Sequence, residues 1–194
     1  MMYLKLPGLF PAFDLISAVQ EFTKCERHSF PEIALAQLAP ELYSTLEQVF
    51  DSPIVKTRVF ITPPRQKSSI HIDGSSWTVG SKWAVNFPIS GCENTLFEWY
   101  KINAETTDLK DRISFYPKVG NSISVSFLEN EIEKILDSVE LTEPTLVKVN
   151  AAHRAINQNE APRIILSCRF KRSVVTQFED EVRRLQELSL VTIT

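Results

Sequence analysis

Two periodicities divide the chain. Phe13, Leu15, Ile16, Val19 and Phe22 recur near every 3.6 residues between Phe13 and Cys25, the spacing that gathers them on one side of an α-helix. Ile33, Leu35, Leu38, Leu42, Leu46 and Phe50 continue the pattern over Glu32 to Phe50. Pro31 suits an opening turn, while Pro40 lacks an N–H and crowds the turn before it, which predicts a kink or a split. From Pro53 the period changes. Ile54 to Thr62 is rich in β-branched residues and stops at Pro63-Pro64, as a strand does. Ser68 to Asp73, Lys82 to Ile89, Thr95 to Tyr100, Ser122 to Phe127, Thr145 to Asn150 and Arg163 to Arg172 read the same way. Between them, polar Ile102 to Val119 predicts an insertion or lid, and Glu131 to Asp137 a short helical turn. Val174, Phe178, Val182, Leu185 and Leu188, with charged residues between, predict a last amphipathic helix.

Helices, then seven or eight short strands, then one helix is not the alternation that builds a parallel βαβ sheet. The order predicts a mainly β protein, an antiparallel sandwich or jelly roll buttressed by helices. With 194 residues and no repeat or linker-like tract, one domain is expected: a helical region over 1–52, a jelly-roll core over 53–172 and a terminal helix over 173–190. Hydrophobic residues at 43% and charged residues at 23% describe a folded globular chain. A formal net charge of −3 gives no basic footprint, which argues against general nucleic-acid binding. Cys25, Cys92 and Cys168 are odd in number and far apart, so neither a disulfide frame nor a thiolate zinc site is expected. The opening residues lack the layout of a secretory signal, and no apolar run approaches membrane-spanning length. The expected location is the cytoplasm, without a membrane partner.

Against this background one short stretch carries chemistry. In Ile70-His71-Ile72-Asp73, strand alternation turns His71 and Asp73 to one side, with Cα atoms about 6.5 Å apart, close enough for both tips to meet one cation. Taken alone the tripeptide reads first as a half-buried strand with a solvated face. His28 falls in a polar stretch between the two helical patterns and reads as a solvated loop residue, which leaves His153 as the remaining imidazole. Two histidines and one carboxylate are the facial set typical of non-haem Fe(II), with the other coordination positions left open. Arg163 follows ten residues later and heads a strand in which Arg163, Ile165, Ser167 and Arg169 share a face. If that face is internal, the guanidinium needs an anion, and a carboxylate in bidentate contact is the natural one.

His71-x-Asp73, a distal His153 and Arg163 beyond it resemble the 2-oxoglutarate-dependent Fe(II) oxygenases, over roughly Val55 to Phe170. The resemblance implies a double-stranded β-helix, the cupin-like jelly roll. It further implies Fe(II) held by His71, Asp73 and His153, with 2-oxoglutarate anchored through its distal carboxylate by Arg163, and dioxygen as the oxidant. Many relatives carry a hydroxyl two positions after that arginine; here Ile165 stands there and Ser167 lies four positions on, and Arg169 is a second candidate anchor. Asn86, inside an apolar strand, is a candidate hydrogen-bonding partner for cosubstrate or substrate. Trp77, Trp83 and Arg58 are candidates for the substrate pocket, the tryptophans serving equally as core and Arg58, with Arg65, as solvated surface. Ser122, Ser124 and Ser126 mark a polar strand face, internal or solvated. The implied reaction is hydroxylation of a small molecule, an amino acid or a peptidyl side chain. Two other readings stand beside it: a cupin-like metal-binding protein without oxygenase activity, an isomerase or ligand sensor, and a structural protein in which these residues never meet.

Overall fold

Residues 1–19, 33–73, 80–103, 113–116 and 122–191 are described by the computed structural model, with backbone alone at 18–19, 113–116 and 122–123. In chain order the elements are β1 (Tyr3–Lys5), α1 (Ile16–Val19), α2 (Leu35–Leu38), α3 (Pro40–Phe50), β2 (Ile54–Thr62), β3 (Ile70–Asp73), β4 (Trp83–Ser90) and β5 (Thr95–Ile102). There follow β6 (Ile113–Tyr116), β7 (Ser122–Phe127), β8 (Ile132–Val139), β9 (Thr145–Lys148), β10 (His153–Asn157), β11 (Arg163–Phe170), α4 (Arg172–Val175) and α5 (Phe178–Glu187).

The strands form two antiparallel sheets, ordered β1-β9-β4-β11-β2 and β6-β7-β3-β10-β5-β8. The chain crosses from one sheet to the other between β2 and β3, β3 and β4, β4 and β5, β8 and β9, β9 and β10, and β10 and β11, so nearly every pairing joins strands distant in sequence. That is jelly-roll winding. β1 extends one sheet, and the hairpin β6–β7 extends the other beside β3.

Strand alternation sorts the side chains into layers. The outer face of the first sheet presents Trp83, Phe87, Leu166 and Phe170, which pack with Phe50 of α3 and Phe178 of α5. Phe50 is fully buried, with ring centroids 4.6 Å from Phe170 and 5.5 Å from Trp83; truncating such a residue typically costs about 3–5 kcal/mol. The inner face carries Ala84, Val147 and Ile165 against Phe97 and Trp99 of the opposing sheet. Beyond β11, Glu181 of α5 is wholly buried and accepts hydrogen bonds from Arg172 Nε at 3.1 Å and Arg184 Nε at 2.8 Å, tying α5 to α4.

Several expected boundaries shift. The second helical pattern is split at Ala39, just before Pro40, as the proline predicts. Only Ile16–Val19 of the first lies among the described helical residues; 20–32, with Cys25 and His28, lie outside them. The terminal helix divides into α4 and α5. The stretch over Ile102 to Val119 contains β6, paired with β7. Glu131 to Asp137 is not a helical turn but mostly β8, after a single 3₁₀ turn at Glu129–Glu131. Its Ile132, Ile135 and Leu136 imitate helical spacing because the β5–β8 register slips twice, leaving Leu136 and Glu133 unpaired. Finally, β10 has no counterpart among the predicted strands.

Candidate metal centre

β3 and β10 are neighbours, with His71 directly opposite His153. Because Asp73 is two residues along β3, all three side chains emerge on the inner face, and their ligand atoms lie within 4.8 Å of one another. The imidazole centroids are 4.6 Å apart, and His71 Nε2 stands 3.4 Å from Asp73 Oδ1. Each ring is oriented by its own backbone: His71 Nδ1 meets the Ser69 carbonyl, and His153 Nδ1 the Ala151 carbonyl, both at 2.8 Å. Donating through Nδ1 leaves Nε2 as the lone-pair nitrogen on each ring, the arrangement found where histidines ligate metals. Phe97 stacks on His153 at 5.0 Å and closes the inner side.

Charge organises the rest. Burial alone would push the Asp73 carboxyl up, but the Arg169 guanidinium, 2.5 Å from Oδ2, and His71 hold it well below the usual carboxylate range. His71 is raised: burial is the largest single influence and opposes its charged form, but the hydrogen bond to Asp73, the charge of Asp73 and the Ser69 carbonyl together outweigh it. His153 is drawn down to about 4 by burial and by its neighbour His71, so it stays neutral and ligand-ready. Two imidazoles and one carboxylate on one side of a cation suit a divalent first-row metal with open positions, rather than a closed structural zinc.

The face of β11 that carries Arg163 and Arg169 is internal. Arg163 is 2% exposed; its Nε donates to Thr95 Oγ1 at 3.2 Å, and among the described residues no carboxylate pairs with it. Burial lowers its pKa to about 10. Ser167 lies opposite Arg58 on one side and Asn86 on the other, a buried polar row across β2, β11 and β4. Within it, among the described residues, Ser167 Oγ and Asn86 Oδ1 have no hydrogen-bond partner, and neither does Arg169 Nη1 beside Asp73. Buried polar atoms are normally satisfied, so this hydroxyl, this amide acceptor and this guanidinium N–H give the barrel interior hydrogen-bonding capacity that the described residues do not use.

Arg58 is therefore internal rather than solvated, 7% exposed and opposite Ser167. Trp83 does not wall the pocket. It lies with Val85 and Phe87 on the helix side of β4, packed against Phe50 and Phe170, because Ala84 and Asn86 take the inward positions. Trp77 lies outside the described residues. Arg65 pairs with Glu160 at the surface. Ser124 and Ser126 of β7 lie on the inner face, since Ser124 stands opposite Asp73 and Ser126 opposite His71; the side chain of Ser122 lies outside the described residues. Thr95, the partner of Arg163, has no place among the sequence-based candidates; a threonine opening an aromatic strand carries no local signal.

No family model and no curated protein matches this chain. Among solved structures, HygX from Streptomyces hygroscopicus with nickel and 2-oxoglutarate bound is 13% identical, with 86% of this chain and 80% of that one covered and a TM-score of 0.47. The S161A mutant of Bacillus subtilis oxalate decarboxylase is 11% identical over 76% of this chain, with a TM-score of 0.37, and this chain spans about a quarter of its length (26%). An uncharacterized protein with a double-stranded β-helix domain from Klebsiella pneumoniae is 13% identical over 60% of this chain and 72% of that one, with a TM-score of 0.30. The double-stranded β-helix assigned here rests on the strand order itself, in which the chain winds back and forth between its two sheets.

Proposed function

We propose that the chain is an Fe(II)- and 2-oxoglutarate-dependent dioxygenase that hydroxylates a small molecule, an amino acid or a peptidyl side chain. One observation carries this reading. A three-ligand metal set and a buried guanidinium without a carboxylate partner among the described residues line the same barrel interior, with polar atoms between them that those residues leave unsatisfied. His71, Asp73 and His153 would hold the iron. Arg163 would take the distal carboxylate of 2-oxoglutarate, since Arg169 is already engaged with Asp73. The loaded centre supplies the oxidising power for a C–H bond, with dioxygen consumed and succinate and carbon dioxide released.

The protein's own share is geometric and electrostatic. The backbone bonds to Nδ1 fix both imidazoles, and Arg169 keeps Asp73 ionised and turned so that Oδ1 faces His71. Ser167 and Asn86 offer hydrogen bonds along the route from Arg169 toward Arg163. Phe97, Trp99 and Ile165 exclude water from the barrel floor.

The test begins without oxygen. Fe(II) and 2-oxoglutarate added to the protein should give the weak visible charge-transfer band of a chelated 2-oxoacid, absent in His71→Ala. Air should then yield succinate. A protein that binds Fe(II) yet shows neither band nor succinate is a cupin-like metal binder instead.

A further inference from the structure

β8 ends its sheet, and nothing among the described residues pairs with its far edge. Edge strands are usually guarded by charge, by proline or by a bulge that twists them away. β8 has the bulges but spends its centre on two adjacent apolar side chains: Ile135 is 55% exposed and Leu136 is 42% exposed. Charges of opposite sign flank them, Lys134 before and Asp137 after. Register places Lys134 opposite Lys101 and Asp137 opposite Trp99, so both charged residues sit on the same face of the strand. Lys134 makes no ion pair among the described residues, and Asp137 bonds only the adjacent Ser138 N–H, through Oδ1 at 3.0 Å.

We propose that β8 is the contact surface of a symmetric homodimer, its occupant a second copy of the same strand. A two-fold axis between Ile135 and Leu136 sets each Ile135 beside the partner copy's Leu136. It also sets each Lys134 beside the partner copy's Asp137, on a common face, twice over. Glu133 then meets Ser138, so no like charges oppose within the strand. Other antiparallel registers lose this match: centring on Ile135 brings Glu133 against Asp137. Because the bulges interrupt the ladder, association runs through side chains rather than through one continuous sheet. Such a contact is small, at the weak end of specific interfaces, and implies reversible association at roughly micromolar to sub-millimolar concentration.

Sedimentation equilibrium of the full chain tests this through charge exchange. The wild type should show a monomer–dimer equilibrium. Lys134→Asp and Asp137→Lys, each replacing two attractive pairs by two repulsive ones, should each weaken it by about tenfold or more. The double variant, which restores opposite charges, should return to within about threefold of wild type. Ile135→Glu, at an exposed position that leaves the fold intact, should abolish the dimer. A wild type that stays monomeric at about millimolar concentration, or single charge variants indistinguishable from it, overturns the proposal.

Discussion

Arg163→Met offers an unusual trade, because the residue with the sharpest assigned role should also be the one that most destabilises the empty fold. Its guanidinium is 2% exposed and has no carboxylate partner among the described residues, and burial lowers its pKa from 12.5 to about 10. At about 1.4 kcal/mol per unit, that shift means the charged form sits roughly 3 kcal/mol less comfortably in the fold than in water. Methionine keeps most of the volume and carries no charge. It forfeits the bond from Nε to Thr95, worth about 1 kcal/mol, and leaves a threonine hydroxyl that still donates to the Cys92 carbonyl at 2.7 Å. The net expectation is a metal-free protein more stable by about 1–3 kcal/mol, in line with the gain often seen when apolar side chains of similar volume replace buried charges. Urea unfolding of both proteins at neutral pH measures it. A second arm adds 2-oxoglutarate and Zn(II), which should raise the wild-type midpoint and leave the variant's where zinc alone puts it. If Arg163→Met is less stable than wild type by about 1 kcal/mol or more, the guanidinium already has its counter-charge, and an anchor awaiting an anion is the wrong description.

The same substitution six residues further along β11 should have the opposite sign. Arg169→Met removes the partner of Asp73 in a pair whose side chains are only 13% and 26% exposed, and should cost about 2–4 kcal/mol; adding Asp73→Asn should recover most of it in a double-mutant cycle of unfolding free energies. Gly91→Ala should cost about 2–4 kcal/mol by thermal unfolding, since Gly91 has φ of +62° and an added Cβ would fall against the Pro162 carbonyl oxygen. Burial pushes the Cys168 thiol from 9.0 up to about 12. Between those pH values the unfolded chain ionises while the fold holds its proton, so stability should fall as pH rises above about 9, by up to about 4 kcal/mol, and Cys168→Ser should flatten that limb of a pH–stability curve.

How far the sequence alone leads depends on how local each signal is. The alternation in Ile70-His71-Ile72-Asp73 orders its own side chains, and β3 indeed turns His71 and Asp73 the same way. The phase of Arg163 to Phe170 likewise separates inward from outward positions along β11. Trp83 shows the limit: its strand is legible, but which face meets helices and which meets the opposite sheet is decided by long-range packing. β10 escapes local patterns because only five residues form it and only Ala155 and Ile156 among them are apolar; Arg154 is tolerated there by Glu129 and by the face of the Tyr100 ring, 5.0 Å away. The meeting of His71 with His153 is a pairing across 82 positions, invisible to any local pattern. β8 misleads for the converse reason, since two bulges give a strand the apolar spacing of a helix.

The most direct measurement compares two 2-oxoacids by calorimetry on the anaerobic Fe(II) protein. 2-Oxoglutarate and 2-oxobutyrate share the chelating end and differ in the distal carboxylate that Arg163 is assigned to receive. Wild type should favour 2-oxoglutarate by at least about a hundredfold, the scale of a buried charge-assisted contact, and Arg163→Met should bind the two about equally. Equal affinities in the wild type, or a preference that survives in Arg163→Met, would contradict the assignment.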